Sequence, residues 1–188
     1  MRNILLLCIF ALILHYSKAS GANDSLQSVL LLNSYHPGFK WTKDITDATI
    51  KTLEDSGFKK YRLYIEYMDT KRFNSPQYVH KLKTLYKHKY SPNSLSAILA
   101  SDNNAYSFLK NYRKEIFGNV PVFFCGMNQY DSTKLDLPLA TGIIETVDFY
   151  SGLKTALELH PETSDIYLIY DKSTTGRQIE KQIKNATE

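Results

Sequence analysis

Cysteine is nearly absent from this chain of 188 residues, which contains two, Cys8 and Cys125. Cys8 lies inside an N-terminal apolar run, so Cys125 is the single thiol of the remaining chain. One thiol excludes an intramolecular disulfide and a metal site built from several cysteines. We therefore expect the folded part to be stabilised by its hydrophobic core alone.

A strong charge of one sign is also lacking, because 23 Lys and Arg residues face 19 Asp and Glu residues. Of the net charge of +4, Arg2 and Lys18 supply two units before the first acidic residue, Asp24, which leaves +2 for the remainder. Most of the basic residues are dispersed along the chain. A balanced, dispersed charge is typical of a solvated surface and argues against a nucleic-acid partner.

The short motifs of several enzyme classes are missing. The sequence contains no G-x-G-x-x-G, no G-x-x-x-x-G-K-[ST], no G-x-S-x-G and no H-E-x-x-H. Dinucleotide-binding, nucleoside-triphosphate-binding, hydrolase and zinc-protease functions thus lack their signatures. His80 and His88 lie two helical turns apart, too far for one metal ion without further ligands. We expect no catalytic motif, no cofactor and no bound metal.

Long hydrophobic runs are lacking except at the N-terminus, where Ile4–Leu14 is almost uninterrupted apolar. This run of 11 residues follows the positive Arg2 and precedes two small-residue stretches, Ser17–Ala19 and Ser20–Ala22. That arrangement is typical of a secretory signal peptide. A membrane span needs about 20 apolar residues, so an uncleaved anchor is the alternative. We predict a signal peptide over residues 1–22 and a periplasmic or other extracytoplasmic location.

Strand and helix patterns alternate along the rest of the chain. Apolar runs and one alternating segment predict strands at residues 29–33, 61–68, 95–100, 120–125 and 140–144. Helical spacing predicts helices at residues 42–56, 76–86 and 102–117, with Asp102 as an N-cap. Strands that alternate with helices predict an α/β fold with a parallel sheet flanked by helices.

The alternation starts again at Asp148. A helix is predicted to end at His160-Pro161, followed by a strand at Asp165–Tyr170 and a helix after Gly176. One strand and two helices cannot bury both faces of a sheet. We therefore predict one complete lobe over residues 26–145 and an incomplete second lobe over residues 146–188.

Polar clusters follow the predicted strands at five places, residues 33–36, 101–104, 125–128, 145–146 and 171–175. Parallel strands bring their carboxyl ends to one edge of the sheet, where helix N-termini present free N–H groups. This convergence favours the binding of a small polar molecule. The alternative is that each cluster only caps its helix, because Ser, Asp, Asn and Thr are preferred N-cap residues.

The loop after the first strand is rich in rings, with Tyr35, His36, Phe39 and Trp41. Helix capping does not require aromatic side chains, and a loop normally exposes what it carries. These rings either stack on a planar or hydrophobic ligand or fold back over the edge of the sheet. Catalysis by His36 would need a carboxylate and a nucleophile near it.

A family resemblance rests on three segments, Leu30–Thr42, Ser101–Ala105 and Asn119–Asn128. Together they resemble the substrate-binding-protein-like sensor regions of bacterial membrane signalling proteins, which are histidine kinases and diguanylate cyclases. Such regions are similar to the periplasmic binding proteins of ABC transporters, whose two α/β lobes close around a small ligand. The resemblance extends through Leu159-His160-Pro161 to Gly176, and this chain departs from the family by stopping early in the second lobe.

The resemblance implies nine ligand-binding residues, Ser34, Tyr35, His36, Trp41, Asp102, Asn103, Gly126, Asn128 and Glu145. It implies an exported small-molecule-binding module, either the sensing part of a transmembrane signalling protein or a substrate-binding protein of an ABC transporter. The partners would be a small ligand and a membrane-embedded kinase, cyclase or permease. The alternatives are an exported hydrolase-like enzyme that uses His36 and Asp102, and a fragment without function.

Overall fold

The computed structural model describes residues 26–57, 60–128, 137–145 and 147–187. The predicted signal peptide and the predicted lobe boundary at residue 146 lie outside the described residues. The described strands are β1 Gln27–Asn33, β2 Tyr61–Tyr67, β3 Ala97–Ser101, β4 Val122–Asn128 and β5 Ala140–Glu145. The described helices are α1 Lys40–Asp55, α2 Pro76–Lys89, α3 Asp102–Ile116, α4 Phe149–Leu159 and α5 Thr174–Thr187.

The five strands form a single parallel sheet with the order β2-β1-β3-β4-β5. The predicted α/β class, a parallel sheet flanked by helices, is confirmed. The chain passes from β1 to β2 on one side, whereas β3, β4 and β5 follow on the other, so the strand order reverses between β1 and β3. Sheets of this kind bind ligands outside the carboxyl ends of the strands at such a reversal.

The main hydrophobic core lies between one face of the sheet and helices α2 and α3. Leu30 and Leu32 of β1 and Ile98 of β3 are fully buried in one cluster with Tyr86 of α2 and Leu109 of α3. Burial of such a side chain stabilises the fold by roughly 1.5–3 kcal/mol. This core fixes β1 and β3, whose carboxyl ends flank the reversal of strand order.

The opposite face of the sheet is covered by α1 only in part. Thr42 and Thr46 of α1 are buried, but Phe123 of β4 and Ile143 of β5 are 47% and 76% exposed. A groove of about 360 Å³ with apolar walls, which include Leu99, opens on this face. Parallel sheets normally bury both faces, so among the described residues this face presents apolar surface without a partner.

The strand predicted at Asp165–Tyr170 does not form. Residues 163–170 have no regular secondary structure, and Tyr167 and Ile169 are 87% and 98% exposed. A strand requires a neighbouring strand for its backbone hydrogen bonds. All the described strands belong to the first sheet, which this segment does not join. The segment therefore has the composition of a strand and lacks a pairing partner among the described residues.

The two helices predicted beyond the first lobe are present. Helix α4 ends at Leu159, as expected, because a proline at position 161 disfavours helical geometry in the residue before it. Helix α5 begins at Thr174, slightly before the predicted start. Among the described helices none is long and apolar enough to cross a membrane.

Candidate functional site

Each of the five strands contributes one side chain to a crevice at the carboxyl edge of the sheet. These side chains are Tyr35 after β1, Lys71 after β2, Asp102 after β3, Asn128 at the end of β4 and Glu145 at the end of β5. The crevice has a volume of about 210 Å³ and lies where the strand order reverses. Four of these five residues belong to the predicted ligand-binding set, and Lys71 does not.

Trp41, which also belongs to the predicted set, lines the crevice from the first turn of α1. Its indole Nε1 donates a hydrogen bond to Oδ2 of Asp102 over 3.1 Å, and the residue remains 40% exposed. A side chain on a helix is held more rigidly than one on a loop. The bond therefore sets an accessible aromatic ring beside a carboxyl group in a defined geometry.

Asp102 is the first residue of α3 and has a left-handed backbone, with φ at 67°. Its prediction as an N-cap is wrong, because Ser101 occupies that position. The buried N–H of Ala105, in the first turn of α3, instead donates to Oγ of Ser34 over 2.8 Å. Left-handed geometry is costly for residues other than glycine, and such outliers cluster at functional sites. The Asp102 side chain is thereby directed to the crevice instead of to its own helix.

Burial raises the pKa of Asp102 from 3.8 to about 7. Hydrogen bonds with Trp41 and Tyr35 offset part of this effect, while the Glu145 carboxylate raises the pKa further and the Lys71 ammonium lowers it. Near neutral pH this carboxyl group is therefore divided between its protonated and ionised forms. A titratable group with a shifted pKa in a cleft marks a candidate functional site.

Gly126 leaves the space that Trp41 and Asp102 occupy. A Cβ atom at this position would lie 3.2 Å from Cζ2 of Trp41 and 3.3 Å from Oδ1 of Asp102, and the backbone has φ at 69°. The pairing of β4 with β5 is also irregular here, between Phe124 and Met127. Such bulges commonly redirect side chains near sites. Gly126 thus shapes the crevice through its missing side chain.

Tyr35 and Phe39 form an aromatic wall of the crevice. Their rings meet edge to face, with centroids 5.4 Å apart and planes at 83°. The ammonium Nζ of Lys71 lies 5.0 Å from the centre of the Tyr35 ring and 5.6 Å from that of Phe39. These distances allow cation–π attraction. Burial raises the pKa of Tyr35 well above its ordinary value, so its hydroxyl stays protonated and able to donate.

The first turn of α5 and the loop before it lie along one side of the crevice. The hydroxyls of Tyr35 and Thr175 share a hydrogen bond of 3.0 Å. Lys71 Nζ donates to Oγ of Ser173 over 3.3 Å and lies 3.7 Å from Oδ2 of Asp171. These contacts join the loops after β1 and β2 to a segment more than one hundred residues further along the chain.

Two predicted residues act within the framework of the site. The Asn103 side chain accepts from the N–H of Asn128 over 3.1 Å and donates to its carbonyl over 3.0 Å, which joins the start of α3 to the end of β4. Ser34 is fully buried, and its hydroxyl donates to the carbonyl of Ser101 over 2.5 Å. Both side chains are engaged with backbone groups and fix the positions of their neighbours.

His36 lies beside a different carboxylate from the one that the hydrolase-like alternative requires. Its Nδ1 is 3.5 Å from Oδ1 of Asp69, which also pairs with Arg72. The Asp102 carboxyl group is bonded to Trp41 instead. In the described part of the chain, no group of three or more His, Cys, Asp and Glu side chains could hold a metal ion.

Of the residues that the structure describes along the crevice, three are not in the predicted set, namely Phe39, Lys71 and Thr175. The rule that parallel strands end at one edge applies to β2 as well, and its use there would have indicated the loop that carries Lys71. Thr175 lies in a predicted polar cluster, but its contact with Tyr35 depends on how the chain returns after α4. The local sequence does not indicate the path of the chain after α4.

Two further grooves are larger than the crevice and differ from it in chemistry. The groove on the open sheet face is lined almost entirely by apolar atoms. A groove of about 370 Å³ beside α3 is lined mainly by neutral polar side chains, such as Asn74, Asn104 and Asn111, with Arg177. The crevice combines aromatic rings, opposite charges and a carboxyl group with a raised pKa, which favours it as the ligand site.

Comparison with known proteins supports the fold through structure and not through sequence. No protein-family model matches the chain, and no curated protein matches it. The chain is similar to the crystal structure of a periplasmic binding protein from Burkholderia mallei, with a TM-score of 0.57 and 10% identity. The chain has a periplasmic-binding-protein-like fold. The match covers 86% of this chain and 43% of that protein, so the chain spans less than half of its structural neighbour.

Proposed function

We propose that this chain is part of an exported module that binds a small molecule. The observation that carries the proposal is the crevice to which all five strands contribute a side chain. Its location at the reversal of strand order is where α/β sheets of this class bind ligands. The likeness to a protein described as a periplasmic binding protein supports the same role.

The proposed module has two lobes, the first over residues 26–145 and the second beginning at residue 146. Support comes from surface that has no cover among the described residues: α4 has no buried residue, and Tyr167 and Ile169 are almost fully exposed. Large exposed apolar patches mark surfaces that another element covers. A second lobe with further strands would supply the pairing partner that the segment 165–170 lacks.

The proposed mechanism is closure of the two lobes around the ligand. A ligand stabilises the closed state only by the difference between its affinities for the closed and open states. To shift a population from 1:99 to 99:1 requires about 5.5 kcal/mol of such difference. The contacts of Tyr35 with Thr175 and of Lys71 with Asp171 cross the crevice, so we expect closure to change them.

We further propose that residues 1–22 direct export and that the module acts together with a membrane-embedded kinase, cyclase or permease. The sensor version predicts a kinase or cyclase in the same polypeptide, whereas the transporter version predicts a separate permease. An immunoblot of membrane and soluble fractions separates them. A membrane-bound species much larger than 188 residues supports the sensor, and a soluble species of this length contradicts it.

Ligand binding is tested by thermal unfolding, followed by circular dichroism, with a library of small polar molecules. We expect binders to raise the Tm of the native protein, and Trp41→Ala to abolish that rise because it removes the accessible ring of the crevice. Phe73→Ala is the matched control, since Phe73 is also exposed and aromatic but packs on Tyr78 outside the crevice. Equal stabilisation of native protein and Trp41→Ala would remove the crevice from consideration.

A further inference from the structure

We infer that the crevice selects an organic cation, whose ammonium group would lie between the aromatic wall of Tyr35 and Phe39 and the carboxylates of Asp102 and Glu145. This inference rests on the proposed ligand-binding function and names the chemical class of the ligand. It is carried by the position of Lys71 and by the balance of charge in the crevice.

The aromatic wall already accommodates a cation. The Lys71 ammonium lies within 5.0 Å of the centre of the Tyr35 ring and 5.6 Å of that of Phe39. The face of an aromatic ring is its negative side, so it attracts cations and not anions. Lys71 also contacts Asp171 and Ser173. Its position shows where a positive group is favourable and which group a ligand cation would displace.

The charges that line the crevice are mainly negative. Asp102 and Glu145 both line it, while Lys71 is the one cation among the described residues that line it. Asp102 is 4% exposed and receives a hydrogen bond from Trp41, but a carboxylate has about four acceptor sites. It can therefore accept further donors such as an ammonium group. A ligand anion would meet the carboxylate of Glu145 and, in its ionised form, that of Asp102, and would be disfavoured.

The cation also links binding to the protonation of Asp102. The titratable groups that act on this carboxyl group are Tyr35, Lys71 and Glu145, and it acts in turn on Cys125. A positive charge beside Asp102 favours its ionised form, so protein with a neutral Asp102 releases one proton to solvent when the cation binds. Affinity for a cation is then expected to increase between pH 6 and pH 8, in opposition to the trend expected for an anion.

The test is isothermal titration calorimetry with sets of ligands matched in shape. Choline and phenethylamine are each paired with a neutral molecule in which carbon replaces the charged nitrogen, and with a carboxylate of similar size. We expect a cation to bind at least about tenfold more tightly than its neutral partner, and the carboxylate to bind no more tightly than the neutral molecule.

Two variants locate the charge preference in the crevice. Asp102→Asn is expected to reduce the tenfold preference to near unity, whereas Glu158→Gln, which removes an exposed charge on α4, is expected to retain it. Lys71→Gln should tighten cation binding severalfold because the competing ammonium is gone. This second variant keeps the inference testable if Asp102→Asn fails to fold.

The outcomes separate this inference from the proposed function. Equal binding of cation and neutral partner, or tighter binding of the carboxylate, would overturn the cation inference and leave a ligand-binding crevice in place. Weaker cation binding by Lys71→Gln would also overturn it, since Lys71 would then be part of the ligand contact. If no compound of any charge binds either here or in the thermal screen, the ligand-binding function itself fails.

Discussion

Replacement of Asp102 by Asn is expected to stabilise the protein at pH 8 while it removes a functional group. Asn keeps a carbonyl oxygen that can accept the hydrogen bond of Trp41. Asn also tolerates the left-handed backbone at this position, as Asp does. The substitution therefore changes the ionisation of the side chain and little else.

The magnitude follows from the raised pKa of Asp102, about 7 in the folded state against 3.8 in the ordinary state. Between these two values the folded protein holds a proton that the unfolded chain has released. Stability must therefore fall as the pH rises from about 4 to about 7, and the loss is fully present above pH 7. At 1.36 kcal/mol for each pKa unit, the full penalty is at most about 4 kcal/mol.

The assay is urea unfolding of the native protein and of Asp102→Asn at pH 5 and pH 8. Because part of the penalty is already present at pH 5, the stability of the variant relative to the native protein should rise by about 2.5 kcal/mol between the two pH values. Glu158→Gln serves as the control, because its side chain is largely exposed and its relative stability should stay nearly constant.

A relative stability of Asp102→Asn that is the same at pH 5 and pH 8 would refute the reasoning. The pKa of Asp102 would then be the same in the folded protein as in the unfolded chain. Other interactions of its carboxylate would offset the effect of burial on that pKa. The opposite sign, with the variant less stable at pH 8 than at pH 5, would mean that the ionised carboxylate is net stabilising. Either result would also remove the expected proton release on cation binding.

Two further substitutions test the framework of the site by urea unfolding. Gly126→Ala should destabilise the protein by roughly 1–2 kcal/mol because of its left-handed backbone and the nearby Trp41. The control Gly152→Ala, in open space on α4, should be neutral or stabilise by up to about 1 kcal/mol. Equal effects of the two substitutions would contradict a steric constraint at Gly126. Ser34→Ala should lower the free energy of unfolding by about 1–3 kcal/mol, because it leaves buried backbone groups without a hydrogen bond. A decrease no larger than that caused by Ser164→Ala, at an exposed serine, would show that water replaces the Ser34 hydroxyl.

The sheet could be predicted because burial leaves a direct pattern in the sequence. In β1, Val29 to Leu32 are all buried, and an uninterrupted apolar run is typical of a parallel strand covered on both faces. The same pattern failed at Asp165–Tyr170. Apolar and β-branched residues favour a strand conformation, but a strand forms only when a second strand pairs with it. The local sequence does not show whether that second strand is present.

The candidate site could be predicted to the extent that strand ends determine it. The convergence of parallel strands indicated Tyr35, Asp102, Asn128 and Glu145, all of which line the crevice. The preference of Asp for N-caps suggested the wrong role for Asp102. Asp102 has a left-handed backbone, and the N–H of Ala105 is satisfied by Ser34 from the loop after β1, which is a tertiary contact. Lys71 lies in the loop after β2, which the same rule places at this edge of the sheet. Which side chain of that loop enters the crevice depends on tertiary packing.

Trp41 is the only tryptophan of the chain, and its indole N–H donates a hydrogen bond to Asp102 in the crevice. The intrinsic fluorescence excited at the red edge of the absorption band therefore reports on this one location. Emission from the indole should respond both to the ionisation of Asp102 and to a ligand that covers the exposed ring. The protein thus carries its own optical probe, which needs no label and reads the occupancy and the charge of the crevice in one spectrum.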